Sequence, residues 1–294
     1  MGQAMTTRTG ILLALAVLNV AFIAAWIRAA KNQPGDKRPS LAAALIGAVT
    51  AFFDTLGIGS FAPTTALFKL RGTPSDELIP GTLNIGLNMA GCLETAIFIS
   101  AVAVEPALLG CMIASAACGA WLGAGVVSRL PRRTIQLCMG VALLIAGSVF
   151  VAANVGALPT GGMAMGLAGW KFGFAVGANF VLGALLSVGI GNYAPCMIML
   201  ALLGLNPLAA FPIMMGSCGL VQPLAGLRFF KSGRFAWRAA LGLTCGSAVG
   251  VLLAAFVVKS LPLVALRWLV VVVVLYAAAS MLQSAWRSRV AAVA

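Results

Sequence analysis

Two short segments hold most of the residues whose types and spacing could do chemistry. Gly57-Ile58-Gly59-Ser60-Phe61-Ala62-Pro63 is matched by Gly189-Ile190-Gly191-Asn192-Tyr193-Ala194-Pro195. Glycines in such a run permit tight turns and leave backbone N–H groups open to a ligand. A proline suits the first turn of the helix that follows, where its missing N–H costs nothing. A helix N-terminus carries partial positive charge and unpaired donors, so each segment outlines an anion site. Ser60, Thr64, Thr65, Asn192 and Tyr193 add hydroxyl and amide donors without a full charge. The chemistry on offer is hydrogen-bonded recognition of an oxyanion. The plainer reading is that the glycines and prolines only break helices so that the chain can turn. The polar residue beside each turn, Ser60 and Asn192, favours binding.

Few ionisable groups accompany these turns. Asp54 lies three residues before Gly57, and Glu94 sits inside an apolar run. An ionisable residue at membrane depth is a functional candidate because its burial is expensive. Asp54 could carry a coupling proton, hold a hairpin by hydrogen bonds or face a vestibule. Glu94 is expected nearer the outer interface, and Lys171 near the outer end of its segment. Asn84, Asn88 and Gln222 read as interhelical hydrogen-bonding groups, and Trp237, Trp268 and Trp286 as interface anchors. The chain has no histidine, and its seven cysteines form no C-x-x-C pair. The common zinc spacings and the usual general base are therefore missing, and neither metal nor cofactor is expected. Six cysteines read as small apolar packing residues. Cys196, at a helix start beside Pro195, is the one candidate reactive thiol.

The elements that must position these residues follow from composition. Of 294 residues, 62% are hydrophobic and 9% charged, which lies outside the soluble range and inside that of polytopic membrane proteins. The net charge of +13 is then no sign of nucleic acid. A span takes about 20 apolar residues, so the chain has room for roughly seven to ten membrane elements and little else. The apolar runs are 11–30, 41–56, 62–68, 79–104, 107–127, 134–155, 172–188, 196–205, 208–227, 239–258 and 261–286. The first exceeds a signal-peptide core and is expected to remain as an uncleaved helix.

Basic residues orient these runs, because Lys and Arg in short loops stay on the cytoplasmic side. They cluster at 28–38, 129–133, 228–238 and 287–289, whereas 154–163 carries no charge and the connection at Glu105 no basic residue. Placing the clusters inside makes 41–68 leave and return on the cytoplasmic side, and 172–205 leave and return outside. Ordinary full spans with an imperfect charge bias are the alternative. Self-comparison supplies a second line. An offset of 132 carries Gly57 onto Gly189, and over 55–80 it also matches Ile58, Gly59, Ala62, Pro63, Leu70, Gly72 and Pro80. Together the two arguments predict inverted repeats, whose interrupted segments point to a transporter's substrate site near mid-bilayer. The expected fold is an all-α polytopic membrane protein with about seven full spans and two re-entrant or broken hairpins. The first repeat is 1–133, the second 134–260, and 261–294 is an additional helix. The N-terminus is placed outside and the C-terminus in the cytoplasm.

At these residues the chain resembles the TauE/SafE sulfite exporter family, also called the toluene sulfonate uptake permease group. That family's pattern is two glycine-rich turns followed by proline, separated by half the chain, here 57–63 and 189–195. Many members have consecutive glycines where this chain has Ser60-Phe61 and Asn192-Tyr193. The resemblance implies transport of small sulfur-containing oxyanions or organosulfonates, such as sulfite or sulfoacetate, with lipid bilayer and substrate as partners.

The leading expectation is a secondary transporter in a bacterial inner membrane, not an enzyme. Its substrate site is Gly57, Gly59, Ser60, Phe61, Pro63, Thr64, Gly189, Gly191, Asn192, Tyr193 and Pro195, with Asp54 and Glu94 as coupling candidates. No G-x-x-x-x-G-K-[ST] loop appears, so an ion gradient such as protons must drive transport, or it runs downhill. An anion channel using the same helix ends and a thiol-dependent sulfur relay at Cys196 are the alternatives.

Overall fold

The computed structural model describes residues 2–32, 38–157, 162–189, 191–257 and 263–290. Ile190 of the second turn, residues 158–161 and the 260–261 boundary lie outside the described residues. Twelve α-helices follow one another among the described residues: α1 Gly2–Asn32, α2 Leu41–Thr55, α3 Phe61–Arg71, α4 Ile79–Gly86, α5 Asn88–Ala101, α6 Pro106–Val127, α7 Arg132–Asn154, α8 Gly169–Ser187, α9 Tyr193–Leu202, α10 Pro207–Ser232, α11 Trp237–Val257 and α12 Leu263–Val290. The only β pairing among them is an isolated bridge between Ala164 and Leu205. Seven helices are long and apolar enough to cross a bilayer: Thr6–Lys31, Asp76–Ala101, Pro106–Val127, Arg132–Val149, Gly169–Ser187, Pro207–Ser232 and Trp237–Ala255. The chain is an integral, all-α polytopic membrane protein.

Two interruptions set the architecture apart from a plain bundle. α2 stops at Thr55, the chain turns through Gly57 and Gly59 at φ of 86° and 89°, and α3 starts at Phe61. Those dihedrals favour glycine because a Cβ would meet the backbone. α8 stops at Ser187, Gly189 takes φ of 99°, and α9 starts at Tyr193. At 1.5 Å per residue α3 and α9 are about 15 Å long, half a bilayer. The two hairpins differ in their first arms: α8 is long enough to span, whereas α2, at 15 residues, is not.

Each long hairpin arm is clamped by a helix from the other half of the chain. α2 packs along α11, and α8 along α6. Adding 132 carries α2 into α8 and α6 into α11, so the offset found in sequence relates the two clamps. Both are lined by small residues. Gly242, Gly246 and Gly250 of α11, spaced by four, sit against the carbonyls of Ser40, Ala44 and Ala48. Gly119 of α6 and Gly183 of α8 sit against the carbonyls of Phe180 and Ala116. In lipid, where no hydrophobic force joins apolar helices, such backbone approach is what holds them together.

α10 occupies the middle. Of its best apolar window 83% is buried, against 22% for α1, whose Leu13, Val17 and Val20 face outward. Basic residues collect at one end of the bundle: Lys69 pairs with Asp76 at 2.8 Å, Arg132 with Glu77 at 3.3 Å, and Arg234 reaches the Leu130 carbonyl at 2.7 Å. The other end joins 162–166 to 105 and 205–206 by backbone hydrogen bonds, and Lys171 there caps the Leu203 carbonyl at 3.0 Å. Trp268 and Trp286 are exposed as anchors should be. Trp237 is not: it is buried among Trp26 and Phe235, because the turn into α11 folds back over α1 and α10.

The clamp yields a paired test. A methyl group at Gly246 would collide with the Ala44 backbone carbonyl, whereas at Gly173 of α8 it meets nothing within 4 Å. Gly246→Ala is expected to lose about 1 to 3 kcal/mol from overpacking, and Gly173→Ala to gain up to about 1 kcal/mol of helix propensity. Thermal unfolding of both variants in detergent, with monodispersity by gel filtration, checks the contrast.

Candidate functional site

The two interruptions arrive at one place. A buried cavity is lined by Asp54, Gly59, Ser60, Phe61, Leu186, Gly191, Asn192, Tyr193, Cys218 and Gln222. The turns face each other reciprocally: a methyl group at Gly59 would lie 3.8 Å from the Tyr193 ring, and one at Gly191 3.7 Å from Phe61 Cβ. Gly59 and Phe61 are carried by the 132 offset onto Gly191 and Tyr193, so each turn presents its glycine to the other's aromatic residue. A side chain larger than hydrogen at either glycine would fill this seam. The cavity measures about 10 Å³, room for about one water molecule.

Each half-helix begins in a way that leaves its first turn open. Ser60 and Asn192 occupy the N-cap positions of α3 and α9, and neither side chain caps its helix. The Ser60 hydroxyl instead donates to Asp54 Oδ2. Asn192 Oδ1 accepts from the Cys218 thiol at 3.1 Å, while its Nδ2, fully buried, has no partner among the described residues. N-cap side chains normally satisfy one of the four orphan N–H groups of a helix start. Here they point elsewhere, so the helix ends keep backbone donors in reserve.

Behind the cavity lies a second carboxyl. Glu94, fully buried on α5, has Thr55 Oγ1 at 2.9 Å from Oε1 and receives the Tyr193 hydroxyl at 3.1 Å on Oε2. Its expected position near an interface is therefore corrected: α5 carries it to the centre, against the end of α2 and the start of α9. Tyr193 thus spans from the second hairpin to a carboxyl that also holds the first. Asp54 and Glu94 flank the meeting point from two elements, and no cation pairs with either among the described residues. Their polarity is met by hydroxyls and, at Asp54, by the Ser60 backbone N–H as well.

Of the other residues singled out by sequence, Gly57 and Gly189 shape the turns, and Gly57 abuts Phe211. Pro63 lies within the first turn of α3, and Pro195 within that of α9. Thr64 is buried with its hydroxyl donated to Thr50 Oγ1 at 2.9 Å, away from the cavity. Cys196 is fully buried in the main apolar cluster. Asn84 and Asn88 do bond across helices, the latter to Asn19 at 2.8 Å. Gln222 does not fit that group: it lines the cavity, and its buried Oε1 has no partner among the described residues. Its position in the apolar middle of α10, beside Pro223, was the available signal. Nothing in sequence pointed to Cys218 or Leu186.

A family model described as sulfite exporter TauE/SafE matches residues 2–150, which take in the first turn, Asp54 and Glu94. No curated protein and no solved structure matches the chain.

The hydroxyls around Glu94 can be ranked by what removing them leaves behind. Thr55→Val and Tyr193→Phe each take a partner from a buried carboxyl and are expected to cost about 1 to 3 kcal/mol. Thr65→Val removes a buried hydroxyl that has no partner among the described residues, so its effect should be near zero or stabilising. Unfolding midpoints of the three purified variants decide it.

Proposed function

The chain belongs to the TauE/SafE sulfite exporter family, and from that premise we propose that it is a secondary transporter that binds sulfite or a small organosulfonate between its two glycine turns. One observation carries the reading: the Asn192 amide donor is buried, has no partner among the described residues and lines a small cavity between two half-helix starts. A pyramidal oxyanion needs several donors at once, and the Asn192 amide, backbone N–H groups of the turns and the rotatable Gln222 amide supply them without a fixed positive charge. Ser60 contributes differently, because its proton is committed to Asp54.

The cavity's size supports alternating access over an open pore. Space for about one water cannot hold sulfite, so binding requires the turns to part. Residues 1–133 and 134–260 are then the two inverted repeats, each clamping the other's hairpin, and relative movement of the hairpins exposes the site to either side. The collection of basic residues at one end supports the orientation with that end in the cytoplasm of a bacterial inner membrane. Protons are the proposed coupling ion. Asp54 touches the turn that binds, and Glu94 is tied through Tyr193 and Thr55 to both hairpins. A proton taken up there changes which hydroxyls can donate, and so changes how the hairpins hold together.

Purified protein is expected to bind sulfite or a small organosulfonate such as sulfoacetate in preference to sulfate and to uncharged analogues of similar size, by calorimetry or scintillation proximity. Asn192→Ala should lose about 1 to 3 kcal/mol of that affinity, the usual worth of a hydrogen bond to a charged group. Glu94→Gln should keep sulfite exchange in proteoliposomes while losing accumulation driven by an imposed pH gradient. Unchanged binding by Asn192→Ala would move the site elsewhere, and gradient-driven accumulation by Glu94→Gln would remove Glu94 from coupling.

A further inference from the structure

A second cavity, of about 620 Å³, opens at the base of the first hairpin. Its walls come from the first turns of α2, the last turn of α3 and the turn into α11, and they include Ser40, Ile46, Phe68, Arg71, Trp237 and Arg238. Among the described residues Arg71 and Arg238 line it and no carboxylate does, and Arg238 is already engaged by a neighbour. The nearest acidic residues in sequence, Asp76 and Glu77, are taken by Lys69, Gln136 and Arg132. Arg71 is exposed and has no hydrogen bond or ion pair among the described residues. Trp237 adds an indole N–H that is buried without a partner.

This cavity is tied to the central one by the hairpin itself. α3 begins at Phe61, in the wall of the central cavity, and ends at Arg71, in the wall of this one, about 15 Å away along the helix axis. Hydroxyls mark the interval. The Ile46 carbonyl accepts from Thr50 at 2.9 Å and Thr50 Oγ1 from Thr64 at 2.9 Å, with Thr64 one turn of α3 beyond Ser60. Thr65, on the same helix, carries a buried hydroxyl with no partner among the described residues. A polar track thus runs through an apolar hairpin from a basic-walled cavity to the buried site.

We propose that this cavity is an antechamber, a second oxyanion site that gathers the transported anion on the basic side before it passes to the central cavity. The proposal rests on the transport reading above. A concave site of one sign with apolar walls raises the local concentration of opposite charge and the rate of association, and salt suppresses the effect. Arginine suits it, since its planar fork pairs with two oxygens of one anion. The same chemistry would also accept a phosphate of an anionic lipid, and the test separates the two sources.

Initial rates of radiolabelled sulfite transport are measured at subsaturating concentration in proteoliposomes of zwitterionic lipid, from the basic face and from the opposite face. Arg71→Gln is expected to slow transport from the basic face about three- to tenfold at low salt, with the gap closing near about 0.5 M salt. Transport from the opposite face and the saturating rate should not change, and Arg71→Lys should recover most of the loss. Asn192→Ala, at the central site, should slow both faces alike. Equal rates for wild type and Arg71→Gln at low salt, or a loss shared by both faces, would overturn the antechamber and leave the transport reading intact. An effect of Arg71→Gln seen only with anionic lipid present would assign the cavity to a headgroup and overturn it too. Wild-type protein that moves no sulfite from either face would end the transport reading, and the antechamber with it.

Discussion

Backbone that stops being helical inside a bilayer must find its hydrogen-bond partners within the protein, since lipid offers none. The two turns at 57–60 and 189–192 break that rule's easy solution, and the rest of the structure arranges itself around them. Non-helical backbone of this kind is poorly suited to lipid, and the turns face each other, each glycine toward the other's aromatic residue, beside α10. The helical arms satisfy their own backbone, and the clamping of α2 by α11 and of α8 by α6 holds them in place so that the turns stay within protein. Glycines at four-residue spacing in α11 permit that approach.

The same constraint explains the unusual interior. Membrane proteins gain little by hiding apolar side chains from lipid, so the groups that must be hidden are the polar ones. Asp54, Glu94, Thr55, Ser60, Asn192 and Gln222 are all buried, while Leu13, Val17 and Val20 of α1 and Leu252 and Leu253 of α11 face outward. Hydroxyls satisfy the two carboxyls, and each such bond joins elements that transport must separate. Tyr193 is the clearest case: it belongs to the second hairpin, lines the cavity and holds a carboxyl of α5 that Thr55 of the first hairpin also holds. On the proposed transport reading, protonation, ligand binding and hairpin movement share these atoms, which is the physical requirement for coupling one flux to another.

Charge is organised on a longer scale. The basic residues of one end either brace the loops, as Lys69, Arg132 and Arg234 do, or line the cavity at the base of the first hairpin, as Arg71 and Arg238 do. Two cavities lie at opposite ends of α3, one lined by arginines and the other by amide and hydroxyl groups beside Asp54.

The sequence by itself determined the class of protein, the approximate number of spans and the two breaks, although it read the run from 172 as part of a hairpin where α8 is long enough to span. These are local or periodic properties: apolar runs, glycines at positive φ, prolines at helix starts and an offset of 132 between copies. It also identified Asp54 and most of the turn residues as the polar groups at depth. Only the tertiary structure decided which of them share a wall. Thr64 carries a donor as good as that of Ser60, yet it lies one turn further along α3, where its hydroxyl meets Thr50 instead of the cavity. Glu94 reaches the centre because of how α5 sits against α2 and α9, and no feature of its own run conveys that. Gln222 and Cys218 join the site from α10, whose rotation about its axis is set by packing on every side. Direction and rotation of helices are collective outcomes of many contacts, and a one-dimensional pattern of residue types does not contain them.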